Sequence, residues 1–430
     1  MRYINLKKYI FISEKYHPLL MKKIKTIIII IINTLILLTL IEFTLRLFFP
    51  RKNTLQESTL AYQYDPDYLI SLKPNIEKEF VRSSKNGGEK IAWKTNKYAF
   101  RGDDLKEKEL TVVVYGDSNI QARFSSLEDT YSKKLENYLQ EKTQQSVSVI
   151  NAGVVGYGPD QSFLKFRKEK ENIKPDIVIL NIFADNDYGD LLRNRLIRLN
   201  DHDELEFLTS KKPMDPIFDT SKKNEHKWYH LRMKDAIRKL RDDYIGNPSL
   251  LPENIIHTYS RVCNEEYEDY QNNSDKIYSN FADHYDMDIA VNPKSESSTL
   301  KIKLMKAVVK KFNDYAKENS IEFMIQVQPS SIDITKNFII NYEDILKRFP
   351  EYKNDNLTTI LHEICLKNEI KVVNLYDSFI NANPSTYYFI DKDSHWNDFG
   401  QDTAAKITST YLLKEIISKS DFSKKDDVSL

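Results

Sequence analysis

Four short clusters in this 430-residue chain carry the side chains that could do chemistry. The first is Gly116-Asp117-Ser118, which ends the apolar run Leu110–Tyr115. A serine just past such a run and ahead of a helical stretch offers its Oγ as a nucleophile. Gly, Asp and Ser are also ordinary turn formers, so the tripeptide alone reads either way. The second cluster is Asn151–Pro159, where Gly153, Gly156 and Gly158 make the backbone tight and leave N–H groups exposed. The third is Ala184-Asp185-Asn186-Asp187, an amide flanked by carboxylates. The fourth, Asp391–Gly400, holds His395 behind two acids and ahead of Trp396-Asn397. A nucleophile, a cradle of backbone donors, an amide and a histidine beside acids are the parts that acyl transfer needs.

The elements between the clusters place them. Leu110–Tyr115 is β-branched and bounded by Gly, a buried strand. Tyr131, Leu135, Tyr138 and Leu139 then form the stripe of an amphipathic helix with an acidic start at Asp129. Val147–Ile150 is a second strand, Asp160 caps a helix through about Glu171, Lys174-Pro175-Asp176 turns, and Ile177–Phe183 is a third strand. Strand and helix in alternation predict βαβ units and a parallel sheet, whose active sites lie past the carboxyl ends of the strands. Residues 188–300 break the pattern. They are charged and aromatic, with helical patches such as Asp235–Asp243, and read as a partly helical insertion covering the site, or as partly mobile. The pattern resumes with a helix over Leu300–Asn319, a strand Glu322–Val327 stopped by Pro329, a helix Leu357–Leu366, a strand Ile370–Leu375 and a closing helix Asp402–Ile417.

Lys+Arg and Asp+Glu both number 63, so no basic excess points to nucleic acid. The two cysteines, Cys263 and Cys365, lack metal-ligand spacing, and the sequence does not say whether they pair. Thr26–Ile41 carries no charge and its apolar character continues to Phe49, predicting a transmembrane helix over 26–49 in which Glu42 and Arg46 pair four residues apart. Arg2, Lys7, Lys8, Lys15, Lys22, Lys23 and Lys25 precede it, and only Arg46, Arg51 and Lys52 lie at its far end. That bias puts residues 1–25 in the cytoplasm and the main domain outside, on an uncleaved signal anchor. Met21-Lys22-Lys23 resembles the natural start of such a segment, and no structure is assigned to residues 1–20. Residues 50–109 are a lead-in in which Thr95–Gly102 reads as a short strand before a turn; packing is its expected role. The main domain spans 110–420, and 421–430 is a polar tail.

Gly116-Asp117-Ser118, Asn151–Gly156, Asp185-Asn186-Asp187 and Asp393-x-His395 resemble, in order, the sequence blocks of the SGNH (GDSL-type) hydrolase superfamily. His395-Trp396-Asn397-x-x-Gly400 is similar to the end of that family. The Glu42-x-x-x-Arg46 anchor ending and Thr95-Asn96 through Phe100-Arg101 are similar to its membrane-anchored bacterial members. The resemblance implies an α/β three-layer sandwich with a parallel, flavodoxin-like central sheet. It implies Ser118 as nucleophile, His395 as base and acid, and an oxyanion hole made of the N–H of Ser118, the N–H of Gly156 and the side-chain amide of Asn186. The usual acid stands three residues before the histidine, where this chain has Lys392. Asp393 is favoured, as in relatives with Asp-x-His, and Asp391 is the alternative acid. Ala184 replaces the glycine usual before x-Asn-Asp. Asp117 reads as a structural group of the turn, and Tyr157 and Trp396 read as packing aromatics ahead of cleft walls. The expected activity is a serine esterase cleaving an O-acyl group, such as O-acetyl, from an envelope glycan or lipid, with no cofactor and no metal. An acyltransferase working with a membrane-bound donor protein, and a scaffold that keeps the fold without turnover, are the rival readings.

Overall fold

The computed structural model describes residues 3–48, 61–83, 86–208, 233, 252–272, 284–334, 347–380, 383–389 and 394–419. The patch Asp235–Asp243, both candidate acids and the tail from 420 lie outside them. The chain divides into two compact units, Met1–Thr54 with Lys222–Pro248, and Leu55–Ser221 with Ser249–Leu430.

The first unit holds α1, Tyr3–Phe48. Its stretch Met21–Leu47 has a mean hydropathy of 2.6 and is long and apolar enough to cross a membrane or to act as a signal sequence. Glu42 Oε1 accepts from Arg46 Nε at 2.7 Å, the pair that the four-residue spacing predicts. The helix also runs back to Tyr3, where no structure was expected. Adding a residue to an existing helix is far easier than nucleating one, so a stable apolar segment carries its neighbours with it.

In the second unit, β1 (Tyr62–Asp65) pairs antiparallel with β2 (Leu69–Leu72), and β3 (Glu77–Val81) with β4 (Lys90–Lys94). Thr95–Arg101 is a closed loop rather than the expected strand. Thr95 bridges Arg101, and the Asn96 side chain accepts the N–H groups of Tyr98 and Phe100, both at 3.0 Å. An Asn that captures nearby backbone donors in this way competes with strand pairing.

The main run then reads β5 (Leu110–Tyr115), α2 (Ser118–Gln121), α3 (Tyr131–Thr143), β6 (Val147–Asn151), α4 (Pro159–Ile173), β7 (Ile177–Ala184) and α5 (Asp187–Asn194). It continues with a hairpin of β8 (Ile197–Leu199) and β9 (Leu205–Phe207), then α6 (Pro252–Gln271), α7 (Met287–Val291), α8 (Glu296–Glu318), β10 (Glu322–Pro329), α9 (Asn356–Lys367) and β11 (Lys371–Asn374). It closes with α10 (Tyr376–Phe379), α11 (Pro384–Tyr387) and α12 (Asp398–Glu415). Five strands form one parallel sheet in the order β11-β10-β7-β5-β6. Counted along these five strands alone this is 2-1-3-4-5, the doubly wound order whose chain direction reverses beside the first strand. Alternation along β5 divides the core. Val112 and Val114 join Leu135 and Leu139 of α3 and Ala404 and Leu412 of α12. Val113 and Tyr115 join Phe166 of α4, Phe312 of α8 and Leu361 of α9. Helices on both faces of one parallel sheet make the three-layer α/β sandwich that was expected.

Several boundaries move. Asp160 does not cap α4; Gly158 is the cap, Pro159 fills the first helical position, and Asp160 is buried inside. The Ser295 hydroxyl accepts the Ser298 N–H and starts α8 at Glu296, ahead of Leu300. The Asn397 side chain accepts the Gly400 N–H at 2.9 Å and starts α12 at Asp398, ahead of Asp402, which leaves a short link after His395. Pro329 is the last residue of β10 instead of a stop beyond it. The described parts of 188–300 hold α5 to α7, the β8–β9 hairpin and the start of α8, so they are partly helical as the sequence suggests.

Candidate active site

Ser118 opens α2, one turn of helix at the carboxyl end of β5. Asp117 is its N-cap: Oδ1 accepts the Asn119 N–H at 2.8 Å, and Oδ2 faces Asn119 Nδ2 at 3.3 Å and Ser118 Oγ at 3.4 Å. Burial raises the Asp117 carboxyl above its ordinary range, while His395 and these hydrogen bonds pull it back. The serine turn and the segment that carries His395 lie side by side. The two segments are also joined directly, because the Trp396 N–H donates to Asn119 Oδ1 at 3.0 Å. Gln401 Nε2 of α12 donates to the Asn119 carbonyl at 2.9 Å. The His395 carbonyl accepts from Phe389 at 3.0 Å.

The glycine loop after β6 sits against the same turn. Val154 N–H donates to the Gly116 carbonyl at 3.1 Å, and Val155 N–H to Gln121 Oε1 at 3.0 Å. A Cβ on Gly153 would stand 2.8 Å from the Ile120 carbonyl carbon, so only glycine lets the loop seat there. Tyr157 N–H closes a β-turn on the Val154 carbonyl at 3.2 Å, with Gly156 at φ +68° in its third position. Positive φ at that position is the type II pattern, which favours glycine.

Asn186 ends the third member of the group. It is the N-cap of α5 and 4% exposed. Its Nδ2 lies 3.4 Å from Asp190 Oδ2, and its buried Oδ1 has no hydrogen-bond partner among the described residues. Its carbonyl accepts Arg193 Nη2 at 2.9 Å. Arg193 also meets Asp190 at 2.7 Å and Glu266 at 3.2 Å, and His284 Nε2 stands 2.8 Å from Glu266. Burial works to raise the Glu266 carboxyl, but Arg193 and His284 outweigh it and hold it below its ordinary range. The residues that anchor Asn186 therefore come from the stretch read as a cover.

Since β6, β5 and β7 are neighbours, Gly156, Ser118 and Asn186 follow the ends of three adjacent strands, spaced about 4.8 Å apart at the reversal point of the sheet. The Ser118 N–H, first of α2, has no carbonyl one turn behind it to meet. A hydroxyl, a nearby imidazole and two backbone donors beside an amide can support attack on a carbonyl carbon and hold the resulting oxyanion. Asp391 and Asp393 lie outside the described residues.

Tyr157 and Trp396 are packing groups: Tyr157 Oη donates to the Ile70 carbonyl at 2.5 Å, and Trp396 is buried between Tyr131 and Phe379. Cys263 and Cys365 are free and buried, their thiols pushed up to about 12 by burial. Among the described residues, Cys263, Asp286 and Asp288 bring ligand atoms within 4.8 Å of one another. The buried Lys301 ammonium sits 2.8 Å from Asp286 and 3.0 Å from Asp288, where it takes the place a cation would fill.

Five residues at the site were not anticipated from the sequence. Arg101 Nη1 donates to the carbonyls of Gln121, at 2.5 Å, and Ala122, and its Nη2 to that of Ser125 at 2.6 Å. Arg82 Nε donates to the Phe124 carbonyl at 2.6 Å, and its Nη2 to Asp398 at 2.5 and 2.6 Å. Gln121 links Tyr62 Oη, at 2.7 Å, to the glycine loop. Asn119 and Gln401 complete the set. Adjacency to Ser118 was the one signal for Asn119, and Phe100-Arg101 in the lead-in was the one for Arg101.

No protein-family model matches the chain, and no curated protein is similar to it in sequence. Among solved structures, it is similar to an acetyl xylan esterase, AlAXEase, at 12% identity and a TM-score of 0.33, over 70% of this chain and 98% of that one. It is similar to a putative lipolytic protein of the G-D-S-L family from Desulfitobacterium hafniense DCB-2 at 12% identity and 0.31, over 70% and 99%. It is also similar to the psychrotrophic esterase EstA from Pseudoalteromonas sp. at 11% identity and 0.33, over 71% and 97%.

Proposed function

We propose that the chain is a serine esterase of the SGNH type, anchored by α1 with its catalytic unit outside the cytoplasmic membrane, that removes an acyl group from an envelope glycan or lipid. The observation that carries this reading is the hydrogen bond from Trp396 N–H to Asn119 Oδ1, which fastens the histidine segment to the serine turn at the reversal point of the sheet. Ser118 Oγ attacks the ester carbonyl while His395 takes its proton. The oxyanion is received by the N–H groups of Ser118 and Gly156 and by Asn186 Nδ2, the buried amide of a residue whose backbone carbonyl accepts from Arg193. His395 returns the proton to the leaving alkoxide, leaving an acyl-serine. Water then attacks with His395 again as base, and Ser118 is restored. Asp393 orients the imidazole, with Asp391 as the alternative. The excess of basic residues ahead of the apolar stretch supports the outward orientation.

The test uses the full-length protein in detergent. Wild type labels at Ser118 with a fluorophosphonate and cleaves a short-chain aryl ester, and Ser118→Ala loses both while keeping its thermal transition. Asp393→Asn lowers kcat by about 10⁴-fold, as loss of the orienting acid does elsewhere, and Asp391→Asn lowers it less. Labelling of Ser118→Ala at the wild-type level removes the assignment. If added envelope oligosaccharide diverts most of the acyl group onto sugar, as followed by mass spectrometry, the enzyme is a transferase.

A further inference from the structure

We propose that the lead-in segment is part of the active site, with Arg82 and Arg101 as positioning residues that fix the Ser118 turn against the His395 segment. The proposal rests on the esterase reading and adds to it two residues on elements outside the parallel sheet.

The serine turn is a single helical turn, too short to hold its own shape. Its last carbonyls have no following helical turn to bond them. Arg101 supplies three of those bonds from the far side of the turn, and Arg82 supplies the one to Phe124. Arg101 is 4% exposed, and among the described residues no carboxylate meets its guanidinium. A buried cation whose two Nη groups meet carbonyls alone among the described residues is an expensive way to close a turn, since desolvation is costly without an opposite charge. A neutral amide does that elsewhere in the same turn, where Asn151 Nδ2 donates to the Ile120 carbonyl at 2.6 Å. The rigid planar fork of arginine reaches residues 121, 122 and 125 at once, which an amide or an ammonium cannot do in fixed geometry.

Arg82 adds a second relation. One end of its guanidinium holds Phe124, six positions after Ser118, and the other holds both oxygens of Asp398. Asp398 is the first residue of α12, three positions after His395. Arg82 therefore bridges the serine-bearing and histidine-bearing segments from one side, while Asn119 and Trp396 bridge them from within. The aromatic rings around it form the same junction: Phe124 meets Phe389 edge to face at 6.3 Å, and the Arg82 guanidinium lies 5.5 Å from the Phe389 ring centre. Displacing catalytic groups by about 1 Å is enough to cost about 10²-fold in rate, so two such braces have a kinetic consequence.

The experiment compares full-length wild type in detergent with Arg82→Lys, Arg101→Lys and their alanine counterparts. Phe312→Leu, a core change on the opposite face, serves as a control for lost stability. We expect kcat on a neutral aryl ester and the rate of fluorophosphonate labelling at Ser118 to fall about 10- to 100-fold, with KM within about twofold of wild type. Backbone hydrogen exchange rises over residues 119–125 and 395–400, and free guanidinium ion restores part of the rate in the alanine variants. If an alanine variant does not fold, the lysine variants carry the comparison. The inference is overturned if the arginine variants keep kcat and labelling within about twofold of a control with the same loss of thermal stability. A wild type that does not label at Ser118 overturns the esterase reading and this inference with it. An active wild type beside equally active arginine variants overturns this inference alone.

Discussion

Two regions outside the five-stranded sheet reach its active end, and they use arginine in opposite ways. Residues 61–101 bring Arg101 to the serine turn, where among the described residues its partners are backbone carbonyls and no carboxylate. The stretch after Asn186 brings Arg193, which is enclosed by Asp190, Glu266 and His284. The first arrangement spends a cation on geometry. The second neutralises its cation and ties two helices, α5 and α6, together around Asn186. The difference implies that changes in the lead-in reach activity first, and changes in the later stretch reach stability first.

That contrast can be broken most easily at Glu266. Glu266→Gln leaves Arg193 buried with one carboxylate fewer, and unfolding should become easier by about 3–5 kcal/mol, the usual consequence of removing one member of a buried pair. Denaturant titration measures it. A loss confined to kcat, with stability unchanged, would show that the two regions do not differ in kind. Asn186→Ala tests the group that this framework holds: kcat should drop by about 10²–10³-fold, or about 2.7–4 kcal/mol in the barrier, with KM little changed. An effect on KM alone would make Asn186 a substrate-binding group instead of an oxyanion donor.

The smallest effect concerns Asp333, just beyond β10. Burial holds its carboxyl well above the ordinary range, and Asp185 adds to this, although Tyr285 Oη donates to it at 2.5 Å. The folded state therefore binds this proton more tightly than the unfolded chain does. Its contribution to stability is complete below the unfolded value near 4 and declines as pH rises toward the folded one, by about 1.4 kcal/mol for each unit between. Asp333→Asn keeps an acceptor for Tyr285 and cannot ionise. Its Tm should gain on wild type steadily from pH 4 upward, and a constant difference across pH would show that the carboxyl titrates normally.

Much of this was legible in the chain, for local reasons. Leu110–Tyr115, Val147–Asn151 and Ile177–Ala184 are apolar runs cut off by Gly or Asn and Asp, so the strands and the residues at their ends could be read together. The order of those ends led to Ser118, Gly156, Asn186 and His395. Arg101 could not be read in the same way, because its partners are carbonyls and a carbonyl leaves no mark in a sequence. Buried charges in and just after residues 188–300 were hidden for the converse reason. Arg193, Glu266, Asp286, Asp288 and Lys301 look like a solvated surface, yet all five are buried, each charge set against another. Helix starts shifted wherever a polar side chain, such as Ser295 or Asn397, began the helix ahead of the first apolar stripe.

The contact between Arg82 and Asp398 joins residues 316 positions apart. In the order of synthesis, the arginine is among the first residues of its unit to be made and the aspartate among the last. The serine turn lies between them and gains its outer brace only when the final helix arrives and docks. A nascent chain thus carries Ser118, the proposed nucleophile, for most of its synthesis without this brace. Loop closure over so long a span is slow compared with local helix formation, so the two segments are joined late in folding, and on the proposed reading so is the site.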